Sequence, residues 1–138
     1  MFGSSHPWAA GPAAIIVRRL FGVRALDVGY STVAVHPQLP GPKHLSNGSV
    51  VVPTVRGSIA VAFQQSTQTG LVLQLTVPRS MLAEVCLPTA LLLHGAATHV
   101  LRVNGKDVAS VLRQPGQRCV AAKLGGGHYT VGTGGSEA

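Results

Sequence analysis

The chain opens on one stretch of helical periodicity and then changes period. From Pro12 to about Val23, at about 100° per residue, Ala13, Ala14, Ile16, Val17, Leu20, Phe21 and Val23 fall on one half of the circumference, with Ile15, Arg18, Arg19 and Gly22 on the other. This predicts an amphipathic helix with a broad apolar face. Pro12 suits the first turn, and Gly22 can supply a left-handed stop. Beyond it the apolar positions recur at every second residue. Short runs rich in β-branched side chains span 31–35, 50–52, 58–63, 71–77, 83–87, 98–103, 108–112, 118–123 and 128–131. Turn chemistry falls between them, at Pro40-Gly41-Pro42, Asn47-Gly48, Arg56-Gly57, Thr69-Gly70, Asn104-Gly105, Pro115-Gly116 and Gly125-Gly126-Gly127. The pattern predicts an all-β fold, an antiparallel β-sandwich of about eight short strands preceded by one N-terminal amphipathic helix. Asn104-Gly105 between two apolar runs is the sharpest hairpin signal. Residues 133–138 read as a flexible tail.

Composition narrows this reading. A length of 138 residues suits one domain. With 46% hydrophobic and 11% charged residues, a disordered polar chain is excluded. No run of about 18 uncharged apolar residues occurs, so neither a transmembrane helix nor a membrane partner is expected. The net charge of +7 reflects scarce acids, since 11 basic residues meet only Asp27, Glu84, Asp107 and Glu137. The basic residues are scattered, without the stripe and interleaved aromatics of a nucleic-acid surface, so no nucleic-acid partner is expected.

Candidate chemistry is sparse. Glycosidic hydrolysis by the usual route needs two carboxylates across the scissile bond, and none of the four acids forms a pair; Glu84 reads as a solvent-facing strand residue and Asp107 as a turn residue. The histidines His6, His36, His44, His94, His99 and His128 show neither the helical i, i+4 spacing nor a His-x-His pair, so no metal site is expected from spacing. Cys86 and Cys119 permit one disulfide but lie in apolar runs, which favours buried free thiols. Gly125-Gly126-Gly127 lacks the following Lys-Ser/Thr of a phosphate loop, and no cofactor is implied. One cluster stands apart: Gly3-Ser4-Ser5-His6-Pro7-Trp8 sets an imidazole and an indole just before the helix, both suited to a sugar by hydrogen bonding and stacking. Composition alone favours the plainer reading, in which Trp8 staples the helix start and His6 is a polar loop residue.

The order of motifs adds a family. Residues 4–13 (Ser-Ser-His-Pro-Trp-Ala-Ala-Gly-Pro-Ala), Arg19 to Arg24 (Arg-Leu-Phe-Gly-Val-Arg) and Gly29 to Pro37 (Gly-Tyr-Ser-Thr-Val-Ala-Val-His-Pro) together resemble the end of bacterial-type α-L-rhamnosidases. Val52 to Val61, Leu75 to Pro78, Ala83 to Pro88, Val103 to Lys106 and Gly127 to Val131 continue the likeness, which covers roughly residues 3–132. The resemblance implies that residues 1–24 are a remnant of the catalytic (α/α)6 barrel, carrying its last helix, and that 25–132 form the C-terminal β-sandwich domain. It also implies that His6, with Trp8 beside it, lines a rhamnose pocket. The family's general acid and base lie upstream of this stretch, so the expectation is a chain without catalytic residues. It would be partnered by the missing catalytic barrel and, through the complete enzyme, by a rhamnose-containing carbohydrate. The alternative is a stand-alone, non-catalytic carbohydrate-binding or scaffolding β-sandwich module.

Overall fold

The computed structural model describes residues 11–91 and 101–133. It begins with a short helix, α1 (Gly11–Ile15), which widens into one π-wound turn over Ile16–Leu20, closed by the Phe21 amide donating to the Ile16 carbonyl at 3.1 Å. The helix is therefore shorter than the 12–23 expected. Gly22 ends it as anticipated, with φ +69°, and a Cβ there would lie 1.9 Å from the His36 carbonyl oxygen. Its own carbonyl accepts the His36 amide at 3.0 Å. Only glycine admits both the positive φ and this backbone approach. Phe21 and Val23, placed on the helix by periodicity, instead enter the core, and Val23–Ala25 form the first strand, β1. The expected boundary after residue 24 thus falls inside a strand.

Among the described residues the remaining strands are β2 (Thr32–Val35), β3 (Asn47–Thr54), β4 (Gly57–Ser66), β5 (Gly70–Val77), β6 (Leu82–Pro88), β7 (Leu101–Val103), β8 (Lys106–Val108), β9 (Ser110–Gln114), β10 (Gln117–Val120) and β11 (Gly127–Thr133). They build two sheets, one of five strands in the order β1-β2-β6-β10-β9 and one of six in the order β3-β4-β5-β11-β7-β8. The all-β sandwich is as expected, with more strands than the eight anticipated, β3 and β4 running well beyond the 50–52 and 58–63 read from the pattern. One pairing departs from the antiparallel expectation: β2 and β6 run parallel, Thr32 opposite Leu82 through Val35 opposite Val85. The chain leaves β2, builds the β3-β4-β5 meander in the other sheet and returns beside β2 in the same direction, a crossover that local pattern does not encode.

Between the sheets lies a single apolar layer. Ile59, Val61 and Phe63 of β4, Leu71, Leu73, Leu75 and Val77 of β5 and Val131 of β11 face Val33 and Val35 of β2, Ala83, Val85 and Leu87 of β6 and Val120 of β10. Period-two alternation sends these inward and their neighbours outward. The turns behave as their chemistry demands. Asn104 (φ 52°) and Gly105 (φ 78°) close the β7-β8 hairpin with Val103 opposite Lys106, and Pro115-Gly116 (φ 87° at Gly116) closes β9-β10. Asn47-Gly48 does not turn. It runs inside β3, where a Cβ on Gly48 would lie 2.9 Å from the Phe63 ring and 3.4 Å from that of Phe21, so the glycine makes room for two aromatics. The long loop after β2 is pinned by buried Gln65, whose Nε2 donates to the carbonyls of Pro40 (2.7 Å) and Leu45 (2.5 Å).

Candidate functional site

The outer face of the five-stranded sheet carries the polar chemistry. In β6, with sequence Leu-Ala-Glu-Val-Cys-Leu-Pro, Ala83, Val85 and Leu87 point into the sandwich, which turns Glu84 and Cys86 to the other face. Register aligns Arg24 of β1 with Ala34 of β2, Ala34 with Glu84, and Cys86 with Cys119 of β10. His36 follows Val35 at the end of β2, one step beyond the Val35–Val85 pair. Three adjacent strands thus bring an imidazole, a carboxylate and two sulfurs to one patch.

Glu84 is the centre of the patch. It is buried, 9% exposed, although the sequence suggests a solvent-facing position. The Arg113 guanidinium donates to its Oε2 at 2.8 Å, and His36 Nε2 lies 3.3 Å from Oε1. The His36 contact has ion-pair distance but not hydrogen-bond direction, so the buried Nε2 has no hydrogen-bond partner. Its Nδ1 lies 3.5 Å from Nη2 of Arg24. Burial pushes the His36 pKa below its ordinary value; the Glu84 charge opposes this and Arg24 and Arg113 add to it. The imidazole is consequently neutral at pH 7. Cys86 and Cys119, expected as free thiols, are joined as a disulfide, because the β6-β10 register sets them directly opposite one another with Cα atoms 3.9 Å apart.

Above this patch opens a cleft of about 790 Å³, bordered by Arg18, Arg19, Arg24, Tyr30, Gln38 and Gln114 in addition to the cluster itself. Among the described residues Glu84 is its single carboxylate. Asp27 lies elsewhere, its Oδ1 accepting from Ser31 Oγ (2.6 Å) and the Thr32 amide (2.8 Å), and Asp107 pairs with Arg102 at 2.7 Å. The two-carboxylate arrangement of a glycosidase is therefore not formed by the described residues. A cleft edged by guanidiniums, amides and one phenol suits polar contacts to an anionic or hydroxyl-rich surface.

The expected sugar-facing residues, His6 and Trp8, lie outside the described residues, as do His94 and His99. His128 sits on the other sheet, its Nδ1 3.0 Å from Thr76 Oγ1. Sequence reading missed the cluster because His36 and Cys119 are far in the chain from Glu84 and Cys86. The available signal was Glu84-x-Cys86, an acid and a thiol on one face of an otherwise apolar strand.

Residues 22–101 match the family described as bacterial alpha-L-rhamnosidase C-terminal domain. Among solved structures, an alpha-L-rhamnosidase from Dictyoglumus thermophilum is similar, with a TM-score of 0.69 and 16% identity over 87% of this chain and 13% of that one. The chain thus spans about an eighth of that protein's length, and the likeness is one of fold. No curated protein matches the sequence.

Proposed function

Because the chain belongs to the bacterial alpha-L-rhamnosidase C-terminal domain family, we propose that it acts as the non-catalytic sandwich of an α-L-rhamnosidase-like glycoside hydrolase. The complete enzyme would hydrolyse terminal α-L-rhamnosyl groups, with a catalytic barrel supplying the general acid and base. The observation that carries this reading is the family match over residues 22–101. The state of Glu84 supports it: its carboxylate is held by Arg113 and, among the described residues, faces no second carboxylate with which to form the pair that glycosidic hydrolysis by the usual route uses. His6 and Trp8 are the positions assigned to the rhamnose side of the joint pocket.

The test is an assay of the purified chain with an aryl α-L-rhamnoside. No turnover is expected, since each missing acid or base role is worth about 10²–10⁴-fold. Turnover that disappears in Glu84→Gln or Asp107→Asn would overturn the reading. In a rhamnose titration, half a pocket should bind at about millimolar or weaker. Micromolar binding lost in Trp8→Ala would instead favour a stand-alone carbohydrate-binding module.

A further inference from the structure

We propose that His36, Glu84, Cys86 and Cys119 form a zinc site when the Cys86–Cys119 disulfide is reduced. Ligand atoms of His36, Glu84 and Cys86 lie within 4.8 Å of one another, and the Cys119 sulfur is bonded to that of Cys86. Tetrahedral zinc with two sulfurs, one nitrogen and one oxygen sets its ligand atoms about 3.3–3.8 Å apart. Opening the S–S bond frees both sulfurs to turn about χ1 toward that spacing. The four residues stand on neighbouring strands whose register the ladders fix, so the donor set is held before metal arrives.

Three further features favour this assignment. The buried Nε2 of His36 has no hydrogen-bond partner and faces Glu84, as a ligand nitrogen would. Arg113 occupies Oε2 of Glu84 and leaves Oε1 for the metal. Zn²⁺ with two thiolates and one carboxylate carries a net charge of −1, which the Arg113 guanidinium on Oε2 of Glu84 offsets. Zinc on Nε2 places the imidazole proton on Nδ1, and the exposed Arg24 side chain then turns to solvent. Two soft sulfurs with an imidazole select zinc over magnesium or calcium.

The chemistry balances with a dithiol as reductant. The Cys86–Cys119 bond takes up two electrons and two protons, and the dithiol gives up both and closes to its own disulfide. On binding Zn²⁺ the two new thiols release their protons to solvent, and the metal keeps its oxidation state.

The experiment uses the full chain, reduced with a dithiol and desalted anaerobically, then titrated with Co²⁺ and Zn²⁺ beside the oxidised chain. One Co²⁺ per reduced chain is expected, with thiolate charge-transfer bands, the strong visible absorption of a tetrahedral site and displacement by Zn²⁺; the oxidised chain should bind at least about 100-fold more weakly. His36→Gln and Glu84→Gln should each weaken binding of the reduced chain by about 10-fold or more. Equal binding by both redox forms, a cobalt spectrum without thiolate bands, or undiminished affinity in both variants would overturn the proposal. So would a reduced chain that unfolds and is not refolded by Zn²⁺.

Discussion

The rings of Phe21 and Phe63 meet in the core with centroids 5.7 Å apart and planes inclined at 55°. Phe21 comes from the residue that ends the helical segment and Phe63 from the middle of β4, and both are buried. The contact ties the N-terminal segment to the six-stranded sheet, and β1 directly after it joins the five-stranded sheet. Residues 21–25 are thus part of the sandwich itself.

Phe21→Ala should destabilise the chain by about 3–5 kcal/mol, measured as a fall in the urea midpoint at unchanged slope. A chain starting at Leu26 loses Phe21, Val23 and all of β1, and should lose its cooperative thermal transition. Retention of that transition at the full-length midpoint would contradict the role given to this segment.

Gly48 offers a sharper steric test. Gly48→Ala drives a Cβ into the Phe63 ring at 2.9 Å and should cost about 1–3 kcal/mol by overpacking. Gly41→Ala is the matched control, because nothing lies within 4 Å of the added carbon. Its melting temperature should stay at the wild-type value.

Removing Arg113 should matter more than removing the Glu84 charge. Arg113→Ala deprives a buried carboxylate of its charge-assisted hydrogen bond, a loss of about 1–3 kcal/mol. Glu84→Gln leaves the half-exposed Arg113 to water and should cost less. Chemical denaturation of the two variants and their double mutant gives the coupling directly.

Asp27 sets an acid limit on stability. The Ser31 hydroxyl, then the Thr32 amide, hold its carboxyl below the ordinary value of 3.8. The unfolded chain therefore binds this proton first, and the Asp27 contribution, complete above that value, is lost as pH falls through the folded pKa. Asp27→Asn should reduce stability at pH 7 and flatten the loss below about pH 4, as followed by melting temperature against pH; a parallel shift of the whole curve would contradict this.

Much of the fold is legible in local pattern. Alternation in 71–77 reports one face of β5 buried and the other outside, and Asn104-Gly105 reports a hairpin because those two residues tolerate the left-handed conformation the turn needs. Asn47-Gly48 has the same composition and does not turn. There the glycine answers to the distant Phe63 and Phe21 rings, a demand that no window around residue 48 contains. The helix was overextended for a similar reason: helical spacing put Phe21 and Val23 on an apolar face, and burial against the sandwich, worth about 1.5–3 kcal/mol per side chain, drew them out of it.

Period-two alternation, glycine conformations and the order of short motifs are enough to specify an all-β sandwich, most of its strands and turns, and the family. The parallel β2-β6 pair, the Cys86–Cys119 bond and the burial of Glu84 between His36 and Arg113 come from three-dimensional packing. Each of these joins residues 29 to 50 positions apart on different strands of the five-stranded sheet. Such contacts form only once the register between strands is fixed, and that register is set by packing the whole core rather than by any one segment.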